Sequence, residues 1–122
     1  MKTKIFCDIA DYETIKYFNN KLIVDGFTTN PSLMRKAGAK NYELYSKEIL
    51  KICKNKPISF EVFADDYKNI FLQALKIKSW GSNVYVKIPV ENSKGINLVL
   101  LALLATSATK VVPALLAAAP CG

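Results

Sequence analysis

Short runs of β-branched and apolar residues alternate with longer stretches of helical periodicity from Lys4 to Val90. This alternation is typical of βα units that repeat along a parallel sheet, because each helix covers the apolar face of the strands that it connects. Strands are predicted at residues 4–9, 25–29, 58–63 and 83–90. The pattern therefore predicts an α/β fold.

Helices are predicted between these strands, and each has a recognisable start. Asp11 can cap the first helix and Ser32 the second, in which Ala37-Gly38-Ala39 interrupts the pattern. Asp65 or Asp66 can cap the helix after the third strand. The apolar positions expected to face inward are Ile15, Phe18 and Leu22, then Tyr42, Tyr45, Ile49 and Ile52, and then Ile70, Phe71, Ala74 and Ile77.

Composition limits the chemistry and the partners. Seventeen basic and ten acidic residues give a net charge of +7, which favours anionic ligands such as sugar phosphates or nucleic acid. The lysines are scattered from Lys2 to Lys94, with no compact run and no Gly-aromatic RNA-binding signature, so we prefer a solvated surface and predict no nucleic-acid partner. Histidine is absent, which excludes Ser-His-Asp and Cys-His nucleophile pairs and His-ligated zinc.

The cysteines and the N-terminus predict a cytoplasmic protein. Cys7, Cys53 and Cys121 are widely spaced and form no C-x-x-C, so neither a disulfide framework nor a metal knuckle is indicated. The first eleven residues, MKTKIFCDIAD, lack the apolar core of a secretory signal. We therefore expect no export, no metal ion and no other cofactor.

The composition changes at Gly95, which separates residues 1–95 from a Leu/Ala-rich tail at 96–122. Lys110 is the only charged side chain of this tail. The uncharged stretch Ile96–Thr109 suits a buried helix better than a membrane span, which needs about 20 residues. Pro113 and Pro120 also argue against one long helix, so we predict no membrane partner and keep membrane association through residues 96–119 as the less favoured alternative. The tail is either a fourth helix with a stub of a fifth strand, or a sequence foreign to the βα pattern.

Lys87 interrupts an otherwise apolar fourth strand. Alternation places it with Tyr85 and Pro89 on one face of that strand. Burial disfavours the ammonium form, and a neutral amine is nucleophilic, so Lys87 is a candidate for covalent catalysis. The alternative is a lysine that reaches past the strand end into solvent.

Each of the first three strands also carries polar residues near its C-terminal end, where βα barrels build their active sites. These residues are Asp8 on the first strand, Thr28 and Asn30 on the second, and Glu61 on the third. Taken singly, such residues can be purely structural: Asp8 can cap a helix, Asn30-Pro31 can form a turn, and Glu61 can be a paired core acid. Their joint placement favours a functional site.

Four strings along the chain carry a family resemblance. IFCDIAD at 5–11, DGFTTNPS at 25–32, ISFEVFA at 58–64 and YVKIPV at 85–90 resemble successive strand motifs of the small transaldolase and fructose-6-phosphate aldolase family. The resemblance covers roughly residues 4–95. It implies a TIM, or (β/α)₈, barrel of which this chain holds the first four βα units and an atypical apolar tail.

The resemblance also implies roles for the five candidate residues. Lys87 would form a Schiff base with the ketose carbonyl, and Asp8 would exchange protons with the sugar hydroxyl. Thr28 and Asn30 would hold a catalytic water and the bound dihydroxyacetone unit. Glu61 favours transaldolase, because family members that cleave fructose 6-phosphate tend to carry glutamine there.

The implied function is transfer of a dihydroxyacetone unit between sugar phosphates in the pentose phosphate pathway, by an enzyme expected to be a homo-oligomer. A barrel needs about 200 residues or more, so the later strands and their phosphate-binding Ser and Arg have no match in 122 residues. A frameshifted, truncated or spliced reading frame would explain why these strands have no match. Without them, activity of this chain is doubtful. The alternatives are aldolase-type cleavage of fructose 6-phosphate and a non-catalytic fragment or interaction module.

Overall fold

The structure is a computed structural model that describes residues 2–106 and 111–113, with side chains described through residue 102. The chain divides into two compact units, one within Met1–Ile58 and one within Ser59–Ala117. In chain order the elements are β1 (Phe6–Asp8), α1 (Tyr12–Asn19), β2 (Gly26–Thr28), α2 (Pro31–Lys36), α3 (Tyr42–Ile52), β3 (Ile58–Glu61), α4 (Tyr67–Lys78), β4 (Val84–Ile88), α5 (Val99–Thr106) and β5 (Val111–Pro113).

The strands form one sheet in the order β1-β2-β3-β4-β5. β1 pairs in parallel with β2, and β4 pairs in parallel with β5, where residues 86–88 lie opposite residues 111–113. Helices alternate with these strands along the chain, so the predicted α/β fold is confirmed, and its elements correspond to the first βα units of a TIM barrel. Each of the four predicted strands is two or three residues shorter than predicted.

Apolar side chains from three strands and three helices form the core of the first unit. The fully buried ones are Cys7, Ile15, Phe27, Met34, Ile49, Cys53 and Ile58. Burial raises the pKa of the free Cys53 thiol to about 11, because the thiolate would lose its hydration. The third cysteine, Cys121, lies outside the described residues, so the absence of a disulfide framework stays a prediction.

Gly26 permits a close approach at the start of β2. A Cβ atom there would lie 2.6 Å from the carbonyl oxygen of Pro57 and would also overlap the ring of Phe6. Phe6 is the parallel partner of Gly26, and the amide of the next residue, Phe27, donates to the Pro57 carbonyl at 2.9 Å. The absence of a side chain therefore lets three segments of this unit pack together.

Side-chain caps start the helices, and one predicted cap is wrong. Asp11 caps α1 as predicted, with its carboxylate accepting from the Thr14 amide at 2.9 Å. The cap of α2 is Asn30 and not Ser32, because Pro31 fills the first helical position and leaves the extended residue before it as the cap. Of the two predicted candidates for α4, Asp66 is the cap.

The observed ends of α1 and α2 contradict one prediction and confirm another. The predicted inward position of Leu22 is wrong: Leu22 is 98% exposed, because α1 ends at Asn19 and the apolar pattern continues into the loop. The predicted interruption between α2 and α3 is confirmed. Gly38 takes a φ of +95°, which L-residues with side chains rarely adopt, and this ends α2.

The second unit packs α4 against β4. Ile70, Ala74 and Ile77 are the buried side chains of α4, and all three were predicted to face inward. On β4, Val84, Val86 and Ile88 are buried, whereas the alternate residues Tyr85 and Lys87 are partly exposed. The predicted alternation of the two faces of this strand is confirmed.

The described part of the tail contains α5 and β5. Leu98, Leu101 and Ala102 are buried, but Val99 and Leu100 are exposed, so the described side chains of α5 have an uncovered apolar side. In the described part of the chain, no helix combines the length and the apolar character that crossing a membrane requires.

Candidate active site

Lys87 lies in the middle of β4, between two buried aliphatic residues. Val86 and Ile88 are at most 1% exposed, and the Lys87 side chain itself is 13% exposed. A lysine that reached freely into solvent would be far more exposed, so the alternative of a solvated strand-end lysine does not describe this side chain. Its amine is held in a largely dehydrated position.

Glu61, the last residue of β3, places a carboxylate beside Lys87. Lys87 Nζ lies 3.4 Å from Glu61 Oε2, and the Glu61 side chain is 19% exposed. The backbone continues the contact, since the Val62 amide donates to the Lys87 carbonyl at 3.0 Å. A partly buried ammonium needs such a counter-charge, and the same carboxylate can take up its proton when the amine reacts.

Asp8 and Thr28 lie opposite each other in the first unit. They are parallel partners at the ends of β1 and β2, and the amide of Ile9 donates to the Thr28 carbonyl at 3.1 Å. Asp8 Oδ1 is buried and accepts no hydrogen bond from any residue that the structure describes. Because an unsatisfied buried carboxylate oxygen is costly, it marks a place where a ligand or water would bind.

Asn30 has a structural contact that the sequence did not indicate. Its Oδ1 accepts from the Leu33 amide at 2.9 Å and so caps α2. Its Nδ2 group donates to no residue within the described ranges, which leaves two N–H groups for another ligand. The same amide can therefore cap the helix and bind substrate, and the second role stays a prediction.

The structure thus brings Lys87 together with Glu61 in one unit, and Asp8 together with Thr28 in the other. Asn30 lies two residues beyond Thr28, at the start of α2. The roles assigned to these five residues stay predictions. Across the described residues, no three His, Cys, Asp or Glu side chains come close enough to hold a metal ion.

Gln73 and Asp65 make contacts in the segment after β3 that were not predicted from the sequence. Gln73 Oε1 accepts from the amides of Phe63 and Ala64, each at 3.0 Å, and Asp65 accepts from Ser93. The only sequence signal was the pair Asp65-Asp66, of which one residue was not needed as a helix cap. Both contacts hold the segment that follows β3.

The sequence matches the model of the transaldolase/fructose-6-phosphate aldolase family over residues 5–100. The chain belongs to this family. The matched range contains all five candidate residues, as well as Asp65 and Ser93.

Several curated relatives within the transaldolase/fructose-6-phosphate aldolase family are similar to this chain. A protein of Methanococcus vannielii named "Probable transaldolase" is 43% identical over 97 residues, which are 78% of this chain and 44% of that relative. Proteins with the same name from Nitrosopumilus maritimus and Lactiplantibacillus plantarum are each 41% identical over 87 residues, or 71% of this chain and 38% and 39% of theirs. The chain spans less than half the length of the curated relatives that it matches.

Proposed function

We propose that this chain supplies the Schiff-base lysine of a transaldolase-type enzyme, which transfers a dihydroxyacetone unit between sugar phosphates. The observation that carries the proposal is the dehydrated position of Lys87 beside Glu61, with 3.4 Å between Nζ and Oε2. Membership of the transaldolase/fructose-6-phosphate aldolase family supports it independently. Because the chain covers 44% of the Methanococcus vannielii relative, the activity of a whole enzyme is part of the proposal.

The first step is addition of the neutral Lys87 amine to the C2 carbonyl of the ketose. Loss of water from this adduct leaves a protonated imine, which is an electron sink. Glu61 is placed to accept the proton that the resting ammonium must lose and to stay beside the developing cation. The Lys87 side chain is only 13% exposed, which limits the access of bulk water to the amine.

The second step needs a base at the C4 hydroxyl, and we assign it to Asp8. Removal of that proton turns C4 into an aldehyde as the C3–C4 bond breaks, and the bonding pair moves into the imine to form an enamine. Oδ1 of Asp8 accepts no hydrogen bond from the described residues, so it has an acceptor site for this proton. Thr28 and the Nδ2 group of Asn30 would hold the dihydroxyacetone unit and a water molecule.

The remaining steps reverse this sequence with a second sugar. The enamine adds to the aldehyde of an aldose phosphate, Asp8 returns the proton, and water hydrolyses the imine to release the new ketose and free Lys87. Glutamate at position 61 favours this transfer over simple cleavage of fructose 6-phosphate. We place the reaction in the pentose phosphate pathway of the cytoplasm and expect a homo-oligomer.

Reductive trapping tests the proposal. The chain is incubated with fructose 6-phosphate and borohydride, and peptides are searched by mass spectrometry for a reduced dihydroxyacetone unit. We expect the adduct on Lys87, no adduct there in Lys87→Ala, and no change in Lys68→Ala, which removes an exposed lysine of the same unit. An equal yield of sugar adduct from Lys87→Ala would show that another amine reacts.

A second candidate function is binding to another polypeptide without catalysis. The exposed Val99 and Leu100 of α5 favour it, because an apolar helix side in water promotes association. This candidate predicts no trapped imine and a self-associated or unstable isolated chain. A monodisperse monomer with a cooperative melt would contradict it.

A further inference from the structure

The segment between β4 and α5, residues 91–97, folds back on itself. Glu91 and Asn97 form an antiparallel bridge, and the Asn92 amide donates to the Ile96 carbonyl at 3.0 Å. Asn92 Oδ1 accepts from the amides of Lys94 and Ile96 at 3.0 and 2.9 Å. Gly95 has a φ of +74°, which allows the chain to reverse there. We call this segment the 91–97 loop.

Asp65 connects the tip of the 91–97 loop to the segment after β3. One carboxylate oxygen accepts from the Ser93 amide at 2.8 Å, and the other accepts from the Ser93 hydroxyl. The Asp65 carbonyl also accepts from the Asn92 side chain at 3.1 Å. These contacts join residues that are 27 and 28 positions apart in the sequence.

The segment that carries Asp65 is itself held in place. The side-chain oxygen of Gln73 on α4 accepts hydrogen bonds from the Phe63 and Ala64 amides, and Asp66 caps the same helix. The 91–97 loop has a second attachment, since the Tyr67 hydroxyl donates to the Asn97 carbonyl at 2.8 Å. Asp65 is therefore a carboxylate on a fixed segment that binds a self-contained loop.

We propose that Asp65 is a positioning residue, which holds the 91–97 loop against the end of β3 and thereby keeps Lys87 opposite Glu61. As a role in catalysis, this rests on the proposed function of Lys87. Asp65 touches neither Lys87 nor a reacting atom, and it acts through the two strands.

The short chain distances give the physical reason. Asp65 follows Glu61 by four residues, and Ser93 follows Lys87 by six, so the Asp65–Ser93 and Lys87–Glu61 contacts together close a ring of residues 61–65 and 87–93. Inside this ring the Val62 amide donates to the Lys87 carbonyl. Replacing Asp65 removes the two hydrogen bonds from Ser93 to its carboxylate, whereas the bond from the Asn92 side chain to the Asp65 carbonyl remains, so the ends of β3 and β4 are held less firmly to each other. The hydrogen bonds from Ser93 also lower the pKa of Asp65, as expected if they stabilise the ionised carboxylate.

Amide hydrogen exchange tests the contact without depending on catalysis. In Asp65→Ala and in the milder Ser93→Ala, we expect the Val62 amide to exchange about three- to tenfold faster than in the wild type. Asp66→Asn is the matched control, because it removes a neighbouring carboxylate but keeps a capping side chain, and it should leave Val62 unchanged. Unchanged Val62 exchange in both Asp65→Ala and Ser93→Ala would overturn the proposal.

Trapping with fructose 6-phosphate then separates positioning from mere stability. We expect the saturating rate of Lys87 adduct formation to fall about tenfold in Asp65→Ala and Ser93→Ala, with little change in the half-saturating sugar concentration. Ser93→Thr keeps the hydroxyl and should recover most of the rate. Faster Val62 exchange with an unaltered trapping rate would overturn the positioning role. A wild type that forms no adduct at Lys87 would instead overturn the proposed function, while Val62 exchange would still decide whether Asp65 holds the loop.

Discussion

Glu61 Oε2 lies 3.4 Å from Lys87 Nζ across the ends of β3 and β4, and both side chains are less than one-fifth exposed. This distance allows a charge interaction and proton exchange without a tight, fully formed ion pair. We therefore expect the Glu61 carboxylate to influence the chemistry of the Lys87 amine directly.

Glu61→Gln should shift the reaction from transfer towards cleavage. Glutamine keeps the shape of the side chain but cannot take up a proton, so we expect the ratio of transferred to released dihydroxyacetone to fall about tenfold. The measurement is product analysis with fructose 6-phosphate, with and without an aldose phosphate acceptor. Glu48→Gln, on the exposed face of α3, is the control. An unchanged product ratio would exclude a role for the Glu61 carboxylate in transfer.

Substitutions of Asn30 should separate its cap from its predicted substrate contact. Asn30→Ala should lower the free energy of unfolding by about 1 kcal/mol, because the Leu33 amide loses its acceptor. Asn30→Ser keeps a capping oxygen but loses the Nδ2 donors, so it should retain stability and lose trapping at Lys87. Ser32→Ala should change neither property. If Asn30→Ser traps as well as the wild type, the residue has only its helix cap.

Gly26→Ala should destabilise the first unit by about 2 kcal/mol, because the new methyl group would collide with the Pro57 carbonyl and the Phe6 ring. Thermal and denaturant unfolding measure the change. Adding Phe6→Leu should recover only part of the loss, since the Pro57 backbone oxygen remains in place. Full recovery in this double variant would assign the collision to Phe6 alone.

The free energy of unfolding should fall in acid, because three carboxylates that cap helices or hold a loop become protonated. Hydrogen bonds lower the pKa of Asp11 through Thr14, of Asp65 through Ser93, and of Asp66 through Asn69. A lowered folded pKa means stabilisation at pH values above about 4, which is lost as the pH falls through the folded value. Melting temperatures between pH 7 and pH 3 measure this. Asp11→Asn should show a shallower dependence, and an unchanged profile would contradict the assignment.

Local rules predicted most of the fold from the sequence. The alternation of apolar, β-branched runs with helical periodicity located four strands, and Asp11 and Asp66 were recognisable as helix caps. Leu22 was misplaced because apolar periodicity does not stop where helix hydrogen bonding stops, and Asn30 was missed as a cap because the effect of Pro31 was assigned to the strand end.

The site was less accessible to sequence reasoning. Alternation on a single strand singled out Lys87, but its distance to Glu61 depends on the register between β3 and β4. The Asp65–Ser93 contact joins two loops, and no local propensity encodes a pairing across 28 residues. Such contacts are long-range properties of the folded chain.

Oδ1 of Asp8 is buried and has no hydrogen-bond partner among the described residues, so we expect stability and activity to oppose each other at this atom. A buried carboxylate oxygen without a hydrogen-bond partner raises the energy of the folded protein, and evolution retains such a cost where a reacting group must stay available. Asp8→Ala should therefore melt at a higher temperature than the wild type while abolishing carbon–carbon bond cleavage, and a lower melting temperature would show that the carboxylate supports the fold. Selection for stability alone would be expected to remove this aspartate.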